Sequence, residues 1–90
     1  MDHKLMSSEI DQSRRGLMKL MLRMPALRGK LQLLSAANAE MLGLCGAFED
    51  ASSTLERLRR ENSPRDWATT REYETLCEEI ETQIIEMCIR

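Results

Sequence analysis

Residues 26–61, ALRGKLQLLSAANAEMLGLCGAFEDASSTLERLRRE, decide the fold. Apolar or small residues recur at Leu27, Leu31, Leu34, Asn38, Met41, Cys45, Phe48, Ser52 and Leu55, in steps that alternate four and three. That is a heptad seam, the spacing that keeps one side of a helix turned toward a partner. Leu44, Ala51 and Leu58 flank the seam and widen the stripe. The pattern favours one long helix over 26–61, about 50 Å in length at the usual rise per residue. A competing reading breaks the helix between Ser35 and Asn38, because an asparagine side chain caps a helix N-terminus well. On an unbroken helix the same Asn38 would lie in the seam, where a buried asparagine fixes register or oligomeric state at a cost in stability.

The next residues are Asn62-Ser63-Pro64-Arg65-Asp66. Ser63 suits an N-cap, Pro64 suits the first helical position, and Asp66 stands where it can reach back to the cap. A second helix over 64–89 is expected here. Tyr73, Cys77, Ile80, Ile84 and Met87 repeat the four-three step, while Glu72, Glu74, Glu78, Glu79, Glu81 and Glu86 crowd the remaining surface. Two helices with so short a connection lie antiparallel. A fold point near residue 61 would set Leu55 against Trp67, Phe48 against Tyr73 or Glu74, Cys45 against Cys77, Met41 against Ile80 or Glu81, and Leu34 against Cys88.

Upstream, a third helix is expected over 8–24. Ser8 followed by Asp11 resembles a capping box. Ile10, Leu17, Met21 and Met24 recur at helical spacing with Leu20 alongside, and Pro25 marks the boundary. The chain thus divides into 1–24, an N-terminal tail with a basic, Met-rich amphipathic helix, and 25–90, an antiparallel hairpin with its turn near 61–64, within a single domain.

Composition agrees with an all-α chain. In 90 residues there is no valine, and Phe48, Trp67 and Tyr73 are the only aromatics. Strands need the β-branched and aromatic residues that are scarce here, whereas Leu, Met, Ala, Glu and Arg favour helix. The net charge is −2 but unevenly spread. Residues 1–34 carry seven basic and three acidic side chains, a balance of +4. Residues 35–90 carry six basic and twelve acidic, a balance of −6. Such asymmetry supports attraction within the chain, between copies, or between the basic part and an anionic surface. No apolar run approaches the roughly 18 residues of a spanning helix.

Chemistry is thinly represented. Cys45, Cys77 and Cys88 are too few and too scattered for a disulfide framework, which fits a reducing compartment. No two share the spacing of a metal knuckle, and they fall on or beside the seams, so they read as small buried hydrophobes. Cys45 opposite Cys77 would be the pair to oxidise. His3 is the sole imidazole. No nucleophile motif and no Glu-x-x-His pair of a di-metal bundle occurs. The expectation is therefore no enzyme, no cofactor and no metal. Ser13-Arg14-Arg15-Gly16-Leu17-Met18-Lys19 looks like a twin-arginine export signal with Ala37-Asn38-Ala39 as its cleavage site, but Arg23, Arg28 and Lys30 interrupt what should be an apolar region.

The stretch Leu44-Cys45-Gly46-Ala47-Phe48-Glu49-Asp50-Ala51, followed by Leu55-Glu56-Arg57, and the stretch Arg71-Glu72-Tyr73-Glu74-Thr75-Leu76, followed by Glu79-Ile80-Glu81 and Ile84, carry a resemblance. They resemble short, uncharacterised bacterial helical-hairpin proteins, many of them alphaproteobacterial, with an LC-x-x-aromatic-acidic element in one helix and an E-Y-x-x-L element in the next. More distantly they are similar to the YdcH-like hairpin family. The resemblance covers about residues 27–88. It implies a helical hairpin in a bacterial cytosol and no activity.

The sequence thus predicts a long, coiled-coil-like antiparallel hairpin with an additional N-terminal amphipathic helix, self-associating into an oligomeric bundle. The expected function is a non-enzymatic protein–protein interaction module (adaptor, chaperone-like partner or assembly subunit) in the cytoplasm. Its partner would be a second copy, as a homodimer or higher, or another helical protein. The expected interaction residues are Leu17, Leu20, Met21 and Met24 on the first helix, with Leu44, Phe48, Leu55, Tyr73, Ile80 and Ile84 in the hairpin. Peripheral binding to anionic membranes through the basic, acid-free segment 12–35 is the alternative. A small DNA-binding bundle is the second alternative, disfavoured because the basic residues lack aromatics on which bases could stack.

Overall fold

The computed structural model describes residues 2–90, with side chains from Glu9 onward. Four helices follow one another: α1 (Asp2–Arg23), α2 (Arg28–Ala37), α3 (Ala39–Glu61) and α4 (Trp67–Ile89). Single 3-10 turns at Pro25–Leu27 and Pro64–Asp66 precede α2 and α4. No strand occurs among the described residues, so the fold is all-α.

The first helix starts at Asp2 rather than near Ser8. Nothing from 2 to 8 breaks a helix, and an acid in the first turn suits the positive end of the helix dipole. The side chain expected to cap at Ser8 lies outside the described residues, as does that of His3. The helix ends because Met24 precedes Pro25: it takes φ −131° and ψ 68°, away from the α region that a following proline disfavours.

The single helix expected over 26–61 is two helices. Asn38 adopts φ −132° and ψ 113°, and its side chain accepts a hydrogen bond from the Met41 amide at 3.1 Å. Its own amide donates to Leu34 O at 2.8 Å. Asn38 therefore closes α2 and opens α3. The cap gives a partner to one of the backbone amides that the break leaves free at the start of α3.

The chain next reverses at 62–66. Asn62 ends α3 in the left-handed conformation (φ 46°, ψ 44°), its amide bonded to Leu58 O at 2.9 Å. Ser63 is extended and occupies the cap position, but its side chain makes no capping bond; the Asp66 amide donates to its carbonyl instead, at 2.9 Å.

The reversal is spread over 62–66, so the register of α4 on α3 differs from that of a fold point at 61. Arg59 pairs with Glu74 at 2.9 Å, Leu55 and Cys77 line the same groove, and Cys45 lies within electrostatic reach of Cys88. Cys45 thus faces a residue eleven positions beyond Cys77, three turns farther along α4. Trp67, expected against Leu55, is 63% exposed at the bend.

Helix α3 is the centre of the molecule. It packs on α1, α2 and α4, and its contact with α1 is the most extensive. All four helices feed one core through Leu20, Leu31, Met41, Phe48 and Ile84. The first helix is therefore an integral part of the body. The body is a slab of 42 × 37 × 18 Å.

Candidate functional site: an outward-facing apolar and basic surface

The α1–α3 crossing is close because both helices present small residues to it. A Cβ on Gly16 would overlap the backbone carbonyl of Cys45, and one on Gly46 would lie 3.0 Å from Ser13 Oγ. Gln12 Nε2 donates to Gly46 O at 2.9 Å. One turn farther on, Glu49 is buried between the helices. Ser53 Oγ donates to its Oε1 at 2.7 Å, Lys19 Nζ stands 3.1 Å from its Oε2, and Arg15 Nε is 3.7 Å from Oε1. Burial pushes this carboxyl up, but the Ser53 hydrogen bond and the Lys19 and Arg15 charges outweigh it, so Glu49 titrates below the ordinary glutamate range. Lys19 also donates to Ser52 Oγ at 3.0 Å and pairs with Glu56 at 3.4 Å.

Arg23 ties α1 to α4. Its guanidinium reaches both carboxylate oxygens of Glu81, at 3.2 and 2.9 Å, and lies 6.0 Å from the centroid of the Phe48 ring. A fork to carboxylate and a cation over an aromatic face both suit arginine. Arg23 and Lys19, two of the six basic side chains of the acid-free stretch, are therefore spent inside the fold.

The ten residues expected to form an interaction surface lie within this body. Leu20, Phe48, Leu55, Ile80 and Ile84 are buried, while Leu17, Met21, Met24, Leu44 and Tyr73 are partly buried against the same core. They are spent on packing helix to helix within one chain. The large apolar side chains left outside are different ones: Ile10, Met18, Leu22, Leu33, Trp67, Leu76, Ile85 and Ile89. Met18 is 60% exposed, Leu22 is 73% exposed and Leu33 is 72% exposed. Met18 and Leu22 are one turn apart on the side of α1 opposite Ser13, Gly16 and Leu20, with exposed Arg14 and Arg15 beside them. Leu33 is on the outer side of α2 with exposed Arg28 and Lys30. Among the described residues, Arg14, Arg28 and Lys30 make no ion pair.

Met18, Leu22 and Leu33 carry a signal that the core stripe hides. Each is out of phase with the apolar positions that pack, so it stays outside while the opposite side of its helix is buried.

All three cysteines are free and buried. Burial first, and then the neighbouring Cys88, pushes the Cys45 thiol up to about 11. Burial raises Cys77 as well, aided by Glu81 and opposed by Arg23, Arg59 and Lys19; it raises Cys88 against the pull of Lys30. All three are neutral thiols at pH 7, a poor state for a nucleophile. Among the described residues no three His, Cys, Asp or Glu side chains converge as metal ligands, and no helix is long and apolar enough to cross a membrane.

Comparison with protein-family models, with curated proteins and with solved structures finds no match.

Proposed function

We propose that this chain is a non-enzymatic protein–protein interaction module that docks through the outer faces of α1 and α2. The observation that carries this reading is Leu22, nearly three-quarters exposed and one turn from exposed Met18, on a helix whose opposite face is buried. Leucine and methionine left this exposed forgo part of the roughly 1.5–3 kcal/mol that full burial of each would return. Arginines beside them select a partner surface that is apolar and acidic. Methionine adapts to partners of different shape. The cytoplasmic, bacterial setting implied by the hairpin resemblance belongs to the same proposal, as does assembly into a coiled-coil-like bundle with a second copy or another helical protein. An anionic membrane is the competing occupant of this face, and it would have to receive a chain of net charge −2 with an acidic fourth helix.

The test is a photoactivatable residue at position 22 in the full chain, in its source cell, with position 82 on the outside of α4 as control. Adducts to protein from position 22, suppressed by Met18→Glu, are expected. Adducts to lipid, or equal labelling from both positions, would sink the reading.

A further inference from the structure

On the other side of α1 from the docking face, we infer that the cleft between the N-terminal halves of α1 and α3 binds a small primary amine with an apolar body. The two helices run in the same direction, since Gln12 meets Gly46 and Lys19 meets Ser52. Their contact opens stepwise toward their N-termini. A Cβ on Gly16 would overlap the Cys45 carbonyl, one on Gly46 would stand 3.0 Å from Ser13 Oγ, and one on Gly43 would meet nothing within 4 Å. The opening is a cleft of about 390 Å³, within the ~300–1,000 Å³ of small-molecule sites. Ile10 and Leu42 give it apolar walls. Ala39, Gly43 and Ala47, spaced by four along α3, leave the rest of it without bulk.

The polar groups on the cleft set the chemistry of its ligand. Ser13 is only 8% exposed, yet its hydroxyl has no hydrogen-bond partner among the described residues. The hydroxyls of Ser52, Thr54, Thr70 and Thr82, by contrast, bond back to carbonyls of the preceding turn. Unlike Glu49 Oε2, the Ser13 hydroxyl is not sealed from solvent, so it opens onto the cleft that it lines. A buried hydroxyl without a partner calls for one that the chain does not supply. Gln12 Nε2 is committed to Gly46 O at 2.9 Å, which leaves Gln12 Oε1 as an acceptor. The Glu9 carboxylate stands on the rim, exposed and without an ion pair among the described residues. No basic side chain is among the described residues that line the cleft. The set is therefore two acceptors and a hydroxyl that can accept. An ammonium group, with three donors and no acceptor, matches it. An alcohol brings one donor, and a carboxylate would meet Glu9 as a like charge.

The test titrates the full, reduced chain at pH 7 with hexylamine, 1-hexanol and hexanoate, followed by the amide shifts in NMR spectra. Hexylamine should give saturable shifts clustered at the residues that line the cleft, within 9–13 and 39–47. It should bind about tenfold more tightly than 1-hexanol, the difference that a hydrogen bond to a charged group makes. Hexanoate should give no such shifts. Ser13→Ala should weaken hexylamine, and Glu9→Gln should weaken hexylamine while leaving 1-hexanol unchanged. Gly43→Leu and Ala47→Leu each fill the cleft from an exposed position. Both should keep the helical circular dichroism and cooperative melt of the parent and lose the shifts. Shifts that do not saturate, that spread through the core, that are alike for the three compounds, or that persist in a folded variant with the cleft filled would overturn the inference. The crosslinking from position 22 reports the opposite side of α1, so the two readings fail separately.

Discussion

The two long contacts of α3 are built on opposite principles. Against α1 it is approached at backbone distance, through Gly16 and Gly46, and closed by a buried carboxylate with its serine, lysine and arginine partners. Against α4 it is held by side chains, with Leu55, Cys77, Ile80 and Ile84 in the dry layer and Arg59 with Glu74 outside. Side-chain layers tolerate changes of size because rotamers and helix spacing adjust; a backbone crossing has nothing to give. The α4 contact therefore rests on side-chain packing, and the α1 contact on a close backbone approach that leaves Met18 and Leu22 facing water.

The sharpest way to break the α4 side is a charge. Ile80 is buried, and Ile80→Asp places a carboxylate in the layer with no partner. A loss of about 4 kcal/mol is expected, a large part of a small domain's stability. Ile80→Val should cost only about 1 kcal/mol. Urea unfolding of the two variants measures the difference. Equal losses would mean that the side chain at position 80 reaches water and that the α4 layer is not dry there.

On the α1 side a much smaller group should do comparable damage. Gly16→Val puts carbon into the space of the Cys45 carbonyl, so the helices must part. A loss of about 3 kcal/mol is expected, lowering Tm by roughly 15 °C. A change of under 1 kcal/mol would show that the crossing is looser than this.

The same contrast explains what could be read from the sequence. The α4 layer was legible because its apolar residues repeat at four and three, and so was the reversal at 62–66, carried by Ser63, Pro64 and Asp66. Its register was not, since periodicity says which side of a helix is buried and is silent on sliding by whole turns; that depends on how much chain Asn62 and Ser63 use. The α1 crossing left almost no trace, because glycine adds nothing to an apolar stripe and Glu49 reads as an ordinary surface acid. Asn38 was visible as two roles at once, and only the capping geometry separates them. The exposed apolar residues were hidden for the converse reason: Leu17, Leu20 and Met21 follow the helical period and go inside, while Met18 and Leu22 break it and stay out.

Acid should weaken the crossing selectively. The Glu49 carboxyl titrates below its ordinary range when folded, so its ionised form binds the native state better. A depressed folded pKa contributes stability above the unfolded value and loses it as pH falls through the folded one. Glu49→Gln keeps the size and removes the charge that faces Lys19 and Arg15. At pH 7 it should cost about 1–2 kcal/mol, and the gap to the parent should narrow as pH falls below about 4. Thermal melts at pH 7, 5, 4 and 3 measure this. A gap that stays constant with pH would show that Glu49 acts through shape alone.

The smallest expected effect has the opposite sign. Gly29, in the first turn of α2, has open space around a Cβ, with nothing within 4 Å. Gly29→Ala should therefore stabilise the fold by about 0.7 kcal/mol, because alanine loses less backbone freedom on entering a helix. Gly16 is also inside a helix and has the same intrinsic penalty, so propensity alone predicts the same gain from Gly16→Ala. The carbonyl of Cys45 decides otherwise there. Chemical unfolding of the two single alanine variants thus compares one substitution in two settings: a gain at 29 with a loss at 16 assigns the difference to close packing of α1 on α3, and gains at both positions would mean that the two helices can separate by a methyl group at little cost.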